Sequence, residues 1–198
     1  MTHVRPATRA DYPAVLALER QLLQAHVDGM PADFDPSASD FTEHGFRRRI
    51  SRPWSTVLVV EVDGTVAAYA AMSFVTATPV ERVVARLPRR VGPVVETAYR
   101  SLSRVRPGRP SPIVRRPAAF IDSFAVDASV RRQRLAETLW EACVRWAEER
   151  GAPEIQCETF EFNKPILGFV EHVGLTLYKR RYRFPLTGSD SAGSGQSA

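Results

Sequence analysis

Two hydrophobic periods alternate along this chain, and the points where one gives way to the other mark its elements. "HVRPAT" reads as a short first strand. From Thr8 to Gly29 the apolar residues Val15, Leu18, Leu22 and Leu23 recur at helical spacing, with Thr8 as N-cap and Asp11 three residues on. "MPADFDPSASD" is a Pro- and Asp-rich loop, and "FTEHGFRRRI" fits a second short helix. In "STVLVVEVDGTVAAYAAMSFV", two β-rich runs flank Asp63-Gly64, a pair suited to a tight turn, so a hairpin is expected. "AAFIDSFAV" is apolar enough to be a central strand. A helix is expected from about Val130 to Arg150, with Leu135, Leu139, Cys143, Trp146 and Ala147 facing inward and Gly151 as its stop. "PEIQCETF" reads as a strand, "KPILGFVEHV" as a short helix closed by Gly174, and "LTLYKRRYRFPL" as a last strand. The order predicts a mixed α/β fold, largely antiparallel in front, with a strand–helix–strand crossover behind.

Composition changes this picture in one place. The 198 residues, 44% of them apolar, suit one domain, expected over 1–186, with a flexible tail at 187–198. No apolar run approaches the roughly 20 residues of a membrane helix, so no membrane partner is expected. The opening "MTHVRPATRADY" lacks an apolar signal core, which predicts a cytoplasmic protein. Cys143 and Cys157 read as buried small residues, and the four histidines lack metal-ligand spacing, so no metal is expected. The net charge of +5 is uneven. Between Thr76 and Pro117 ten arginines face only Glu81 and Glu96, so the rest of the chain is net negative. Apolar residues at helical spacing make this segment a helical insert that packs on something. It fits a lid, a homodimerisation arm or a patch for anionic partners. Its arginines are not interleaved with aromatics, which argues against nucleic acid as a partner.

Several of these segments, in this order, resemble the GNAT N-acetyltransferase superfamily. "FIDSFAVDASVRRQRLAETLWEACVRWAEERGA" is similar to that family's acyl-CoA segment, in which a strand ends in V-D-x-x-x-R and a loop R/Q-x-x-G-x-G/A opens a helix. "FNKPILGFVEHVGL" resembles the later asparagine-started helix, and "RPATRADYPAVLAL" the usual opening. The resemblance implies a mostly antiparallel central sheet flanked by helices, interrupted here by the arginine-rich insert before the central strand. It also implies acetyl-CoA as cosubstrate and an amine of a small molecule or peptide as acceptor. The backbone of Phe124, Ala125 and Val126 and the N–H groups from Arg131, Arg132, Gln133, Arg134, Leu135 and Ala136 would then bind the coenzyme. Asn163 and Phe169 match positions that contact the coenzyme arm. Two residues depart from the family pattern: Arg134 stands at a usual glycine, and Val170 at the tyrosine that often protonates the thiolate.

Direct attack on the thioester needs a neutral amine, a base and a donor to the thioester oxygen. Asp122, on the central strand, and Glu158, on the next, are the expected bases, and alternation puts Asp122 on one face with Phe120 and Phe124. Ser123 could orient a water. Tyr178 and Tyr182, on the last expected strand, are the tyrosines left to serve as acid, with Tyr178 the candidate; the bland alternative makes both half-buried sheet aromatics. His26 and Phe34 are expected at the acceptor site, with Phe41 beside them. The alternative class is a GNAT-like protein that binds acyl-CoA or a partner without transferring anything.

Overall fold

The computed structural model of the protein describes residues 2–37, 41–75, 117–130 and 134–183. The arginine-rich insert, Arg131–Gln133 and the tail therefore lie outside the described residues. The chain forms two compact units, Met1–Asn163 and Lys164–Ala198.

The first unit is a five-stranded sheet with helices on both sides. Its elements are β1 (Thr2–Pro6), α1 (Tyr12–Gly29), α2 (Glu43–Ile50), β2 (Ser55–Val62), β3 (Thr65–Val75), β4 (Ala118–Val126), α3 (Leu135–Glu148) and β5 (Ile155–Cys157). The strands lie in chain order, antiparallel except for the parallel pair β4–β5. This is the mixed, mostly antiparallel sheet that the segment order predicts. The β2–β3 turn works as its sequence requires, because Asp63 and Gly64 both take positive φ, 49° and 81°.

Alternation along β2 and β3 splits the core in two. Val57, Val59, Tyr69 and Ala71 face α1 and α2, where Val15, Leu18 and Phe46 close over them. Leu58, Val60, Ala70, Met72 and Ile121 face α3, whose stripe of Leu135, Leu139, Cys143, Trp146 and Ala147 is buried as its spacing predicts. Each large side chain so buried contributes about 1.5–3 kcal/mol, enough to hold α1 and α3 against the two faces. Phe41 packs against the first of these clusters, its ring tilted against those of Phe46 and Tyr69 with centroids 5.8 and 6.0 Å apart.

The helix after β4 starts later than its periodicity suggests. A short 3-10 turn covers Ala128–Val130, and α3 begins only at Leu135. Arg134 holds a left-handed conformation, φ 56° and ψ 22°, which a right-handed helix cannot contain. At the other end Gly151 takes φ 67° and stops the chain, as expected.

The second unit contains α4 (Lys164–His172), closed by Gly174 at φ 87°. Residues 175–183 are not the expected strand. No ladder of the described residues includes them, and an extended segment without a partner is not a strand. Tyr178 and Tyr182 are accordingly 82% and 81% exposed, not half-buried on a sheet.

Candidate active site

The central strand carries the site because it is irregular. Met72 pairs with Ile121 and Ala71 with Ser123, which leaves Asp122 without a partner across β3. This bulge adds one residue to the two-residue period, so Asp122 and Ser123 both turn toward the α1–α2 face. Phe124 and Val126 pack on the α3 side. Asp122 therefore does not share a face with Phe124, as plain alternation predicts, and the extra residue is the reason.

On the α1–α2 face, donors engage both Asp122 oxygens. Arg49 of α2 forms an ion pair with Oδ2, and the Ser73 hydroxyl donates to Oδ1 at 3.2 Å. Next along the strand, Ser123 Oγ donates to Glu19 Oε1 of α1 at 2.8 Å. The Tyr69 hydroxyl is buried beside Glu19 and Ser123 without a well-aligned hydrogen bond. Burial, reinforced by the Glu19 charge, holds that phenol protonated far above its usual range.

β4 and β5 stay paired only from Ala119–Ile155 to Ile121–Cys157. Beyond that point β4 runs on for five residues with β3 along one edge only. On the other edge, from Asp122 to Val126, no strand of the described residues pairs with β4. Glu158 lies just past the end of β5 and is exposed. At the C-terminal end of β4, Gln21 of α1 accepts from the Ala128 N–H at 3.2 Å, and Asp127 caps Ser129 at 2.8 Å. These contacts aim the chain at the N-terminus of α3. The Leu135 side chain is buried in the core, so only its backbone can face a ligand; Ala136 is half-buried.

His26 and Phe34 do come together. Their rings stack with centroids 4.9 Å apart, and Phe160 and Phe162 meet the imidazole edge-on at 5.6 and 5.7 Å. Burial in this aromatic cluster lowers the His26 pKa and so favours the neutral ring. Asn163 follows directly, its N–H donating to the Phe160 carbonyl at 3.0 Å. Phe169 and Tyr178 belong to the second unit. Sequence reasoning missed Glu19, Arg49, Tyr69 and Ser73. Glu19 had a signal: it stands four residues after the buried Val15, an acid at an inward position of α1.

Residues 20–175 match the Acetyltransferase (GNAT) family, and the chain belongs to it. A 72-residue stretch is 36% identical to N-alpha-acetyltransferase 30 of Schizosaccharomyces pombe, covering 36% of this chain and 48% of that protein. The match thus spans about half the length of that relative. Among solved structures, the BH1408 protein from Bacillus halodurans shares the fold with a TM-score of 0.71 at 21% identity, over 93% of this chain and 99% of that one. The aminoglycoside acetyltransferase AAC(6')-Iy, solved with a bisubstrate analog, has a TM-score of 0.61 at 14% identity, over 94% and 98% of the two chains. Among the described residues no helix is long and apolar enough to cross a membrane.

Proposed function

We propose that this acetyltransferase moves the acetyl group of acetyl-CoA to a primary amine of a small molecule or peptide by direct attack. The parting of β4 from β5 after Ile121–Cys157, one residue before the bulge, carries this reading. The residues on the β4 side suit the coenzyme. Phe124, Ala125 and Val126 lie beyond the last β4–β5 pair, where the strand's backbone can bind an amide chain and the thioester oxygen. The first N–H groups of α3, those of Leu135 and Ala136, would hold the diphosphate, with Arg131, Arg132 and Gln133 before them in the sequence as the family resemblance implies. Arg134 supports this fit, because it adopts the left-handed backbone that a glycine would supply there. Asn163 would contact the coenzyme arm.

In the reaction the amine nitrogen attacks the thioester carbonyl, a C–N bond forms and the C–S bond breaks. The sulfur leaves as thiolate and takes up a proton, while the nitrogen gives one up. We assign that second proton to Glu19, reached through the Ser123 hydroxyl, with exposed Glu158 as the alternative base. Asp122, with both oxygens engaged, serves by fixing Arg49 beside the bulge. His26 and Phe34 wall the acceptor side. Relatives named for aminoglycosides and for protein N-termini set the first acceptor panel. Thermal melting with acetyl-CoA should rise with ligand concentration, and free thiol should appear when an acceptor is added. Absence of both overturns the reading.

A further inference from the structure

Arg48 and Arg49 leave α2 side by side, and Arg52 follows three residues later. With Trp54, Ser73 and Asp122 they line a cavity of about 250 Å³ on the α1–α2 face. Of the three guanidinium groups only Arg49 has a carboxylate, that of Asp122. Arg52 lies over the Trp54 ring at 5.3 Å, which fixes its plane. Among the described residues neither Arg48 nor Arg52 has an acidic partner, and no described carboxylate offsets their two positive charges in the cavity. Its wall includes the bulge residue Asp122, the neighbour of Ser123. An anion held there lies next to the point where β4 and β5 part.

We propose that this cavity binds an anionic group, a carboxylate or phosphate, carried by the amine acceptor itself. The inference rests on the transferase reading above and names its substrate class: a small amine that also bears an acidic group. Planar guanidinium groups match both oxyanions as paired donors, and lysine would not. Asp122 engages Arg49, so Arg48 and Arg52, without a carboxylate among the described residues, do the recognising.

The test uses the full chain, acetyl-CoA and matched amines: β-alanine against propylamine, and phosphoethanolamine against ethanolamine. Thiol release should favour the acidic member of at least one pair by about tenfold or more in kcat/KM, the size of one good charged contact. The carboxylate and phosphate pairs separate the two sources. In the R48Q/R52Q variant that preference should collapse through a higher KM for the acidic amine, while melting with acetyl-CoA keeps its ligand-induced rise. Binding is read independently of turnover by melting the protein with inorganic phosphate and with acetate. One of them should raise the wild-type melting temperature, and the variant should lose that shift. If no amine releases thiol but the anion shift is present and lost in the variant, the transferase reading fails and the anion site stands. Equal use of acidic and neutral amines overturns the proposal, as does a missing anion shift. So does a variant in which acetyl-CoA stabilisation is lost instead, since the cavity would then belong to the coenzyme.

Discussion

Arg134 carries a side chain at φ 56°, where its Cβ crowds the following carbonyl. On its helical side the Arg134 carbonyl accepts from the Thr138 N–H and hydroxyl at 3.1 and 2.9 Å. Replacing Arg134 with glycine relieves the crowding but frees the unfolded chain, and the net gain is about 0.5–1 kcal/mol. Arg134→Ala keeps the Cβ and gives no such gain, so urea unfolding of the two variants separates backbone strain from loss of the guanidinium. Glu19 tests the chemistry at the same scale. Removing a positioned base costs about 10²-fold or more in rate. Glu19→Gln should therefore lower kcat by that factor with little change in the acetyl-CoA-induced melting shift. Ser123→Ala should show a smaller loss, since a water can fill the relay. A Glu19→Gln enzyme of full activity would move the base role to Glu158.

At the scale of elements, the end of α1 meets the segment after β5 through the His26 ring and through a close approach at Gly29. A Cβ added at Gly29 would meet the Phe162 ring at 2.3 Å, so this last residue of α1 is glycine for space. Gly29→Ala should cost about 1–2 kcal/mol by overpacking. In a Phe162→Ala background the cost should vanish, which a double-mutant cycle in urea would read. The same elements show what a one-dimensional pattern can carry. β4 was legible end to end because a buried strand is a continuous apolar run, and the α3 stripe because helical spacing repeats over four turns. The bulge was not legible. Both faces of β4 near Asp122 carry apolar residues, so one extra residue leaves no mark on the alternation, and Phe124 moves to the opposite face unseen. Glu19 and Arg49 were missed because their roles depend on what faces them across the sheet. The expected strand after α4 and the long reach given to β5 failed alike: alternation licenses a strand, and only a partner makes one. Phe160 and Phe162 alternate as strand residues do, yet the chain uses both rings to enclose His26.

Over the whole first unit, the N-terminal strand is tied in by one arginine. Arg5 of β1 donates to both Asp11 oxygens at 2.8 Å, and to Glu61 of β2 at 2.9 and 3.1 Å. Asp11 also accepts from the Thr8 N–H at 2.7 Å, so a single carboxylate joins the first strand to the entry of α1. The Arg5 bonds, then those from Thr8, outweigh burial and hold the Asp11 carboxyl well below its usual range. A carboxyl whose pKa falls on folding stabilises the native state at any pH above its unfolded value near 4. That contribution is lost as pH drops through the lower folded value. Asp11→Asn should therefore destabilise the protein by roughly 1.5–3 kcal/mol at pH 7, the worth of charge-assisted hydrogen bonds. Between pH 5 and 8 the difference from wild type should stay constant. Below about pH 4 it should shrink, because the wild-type carboxyl is then protonated in the unfolded chain and the ion pair no longer favours folding. Urea unfolding of both proteins from pH 3 to 8 reads the two curves directly. Parallel curves down to pH 3 would mean that Asp11 acts through packing and shape, and that the charge on Arg5 is balanced by Glu61 alone.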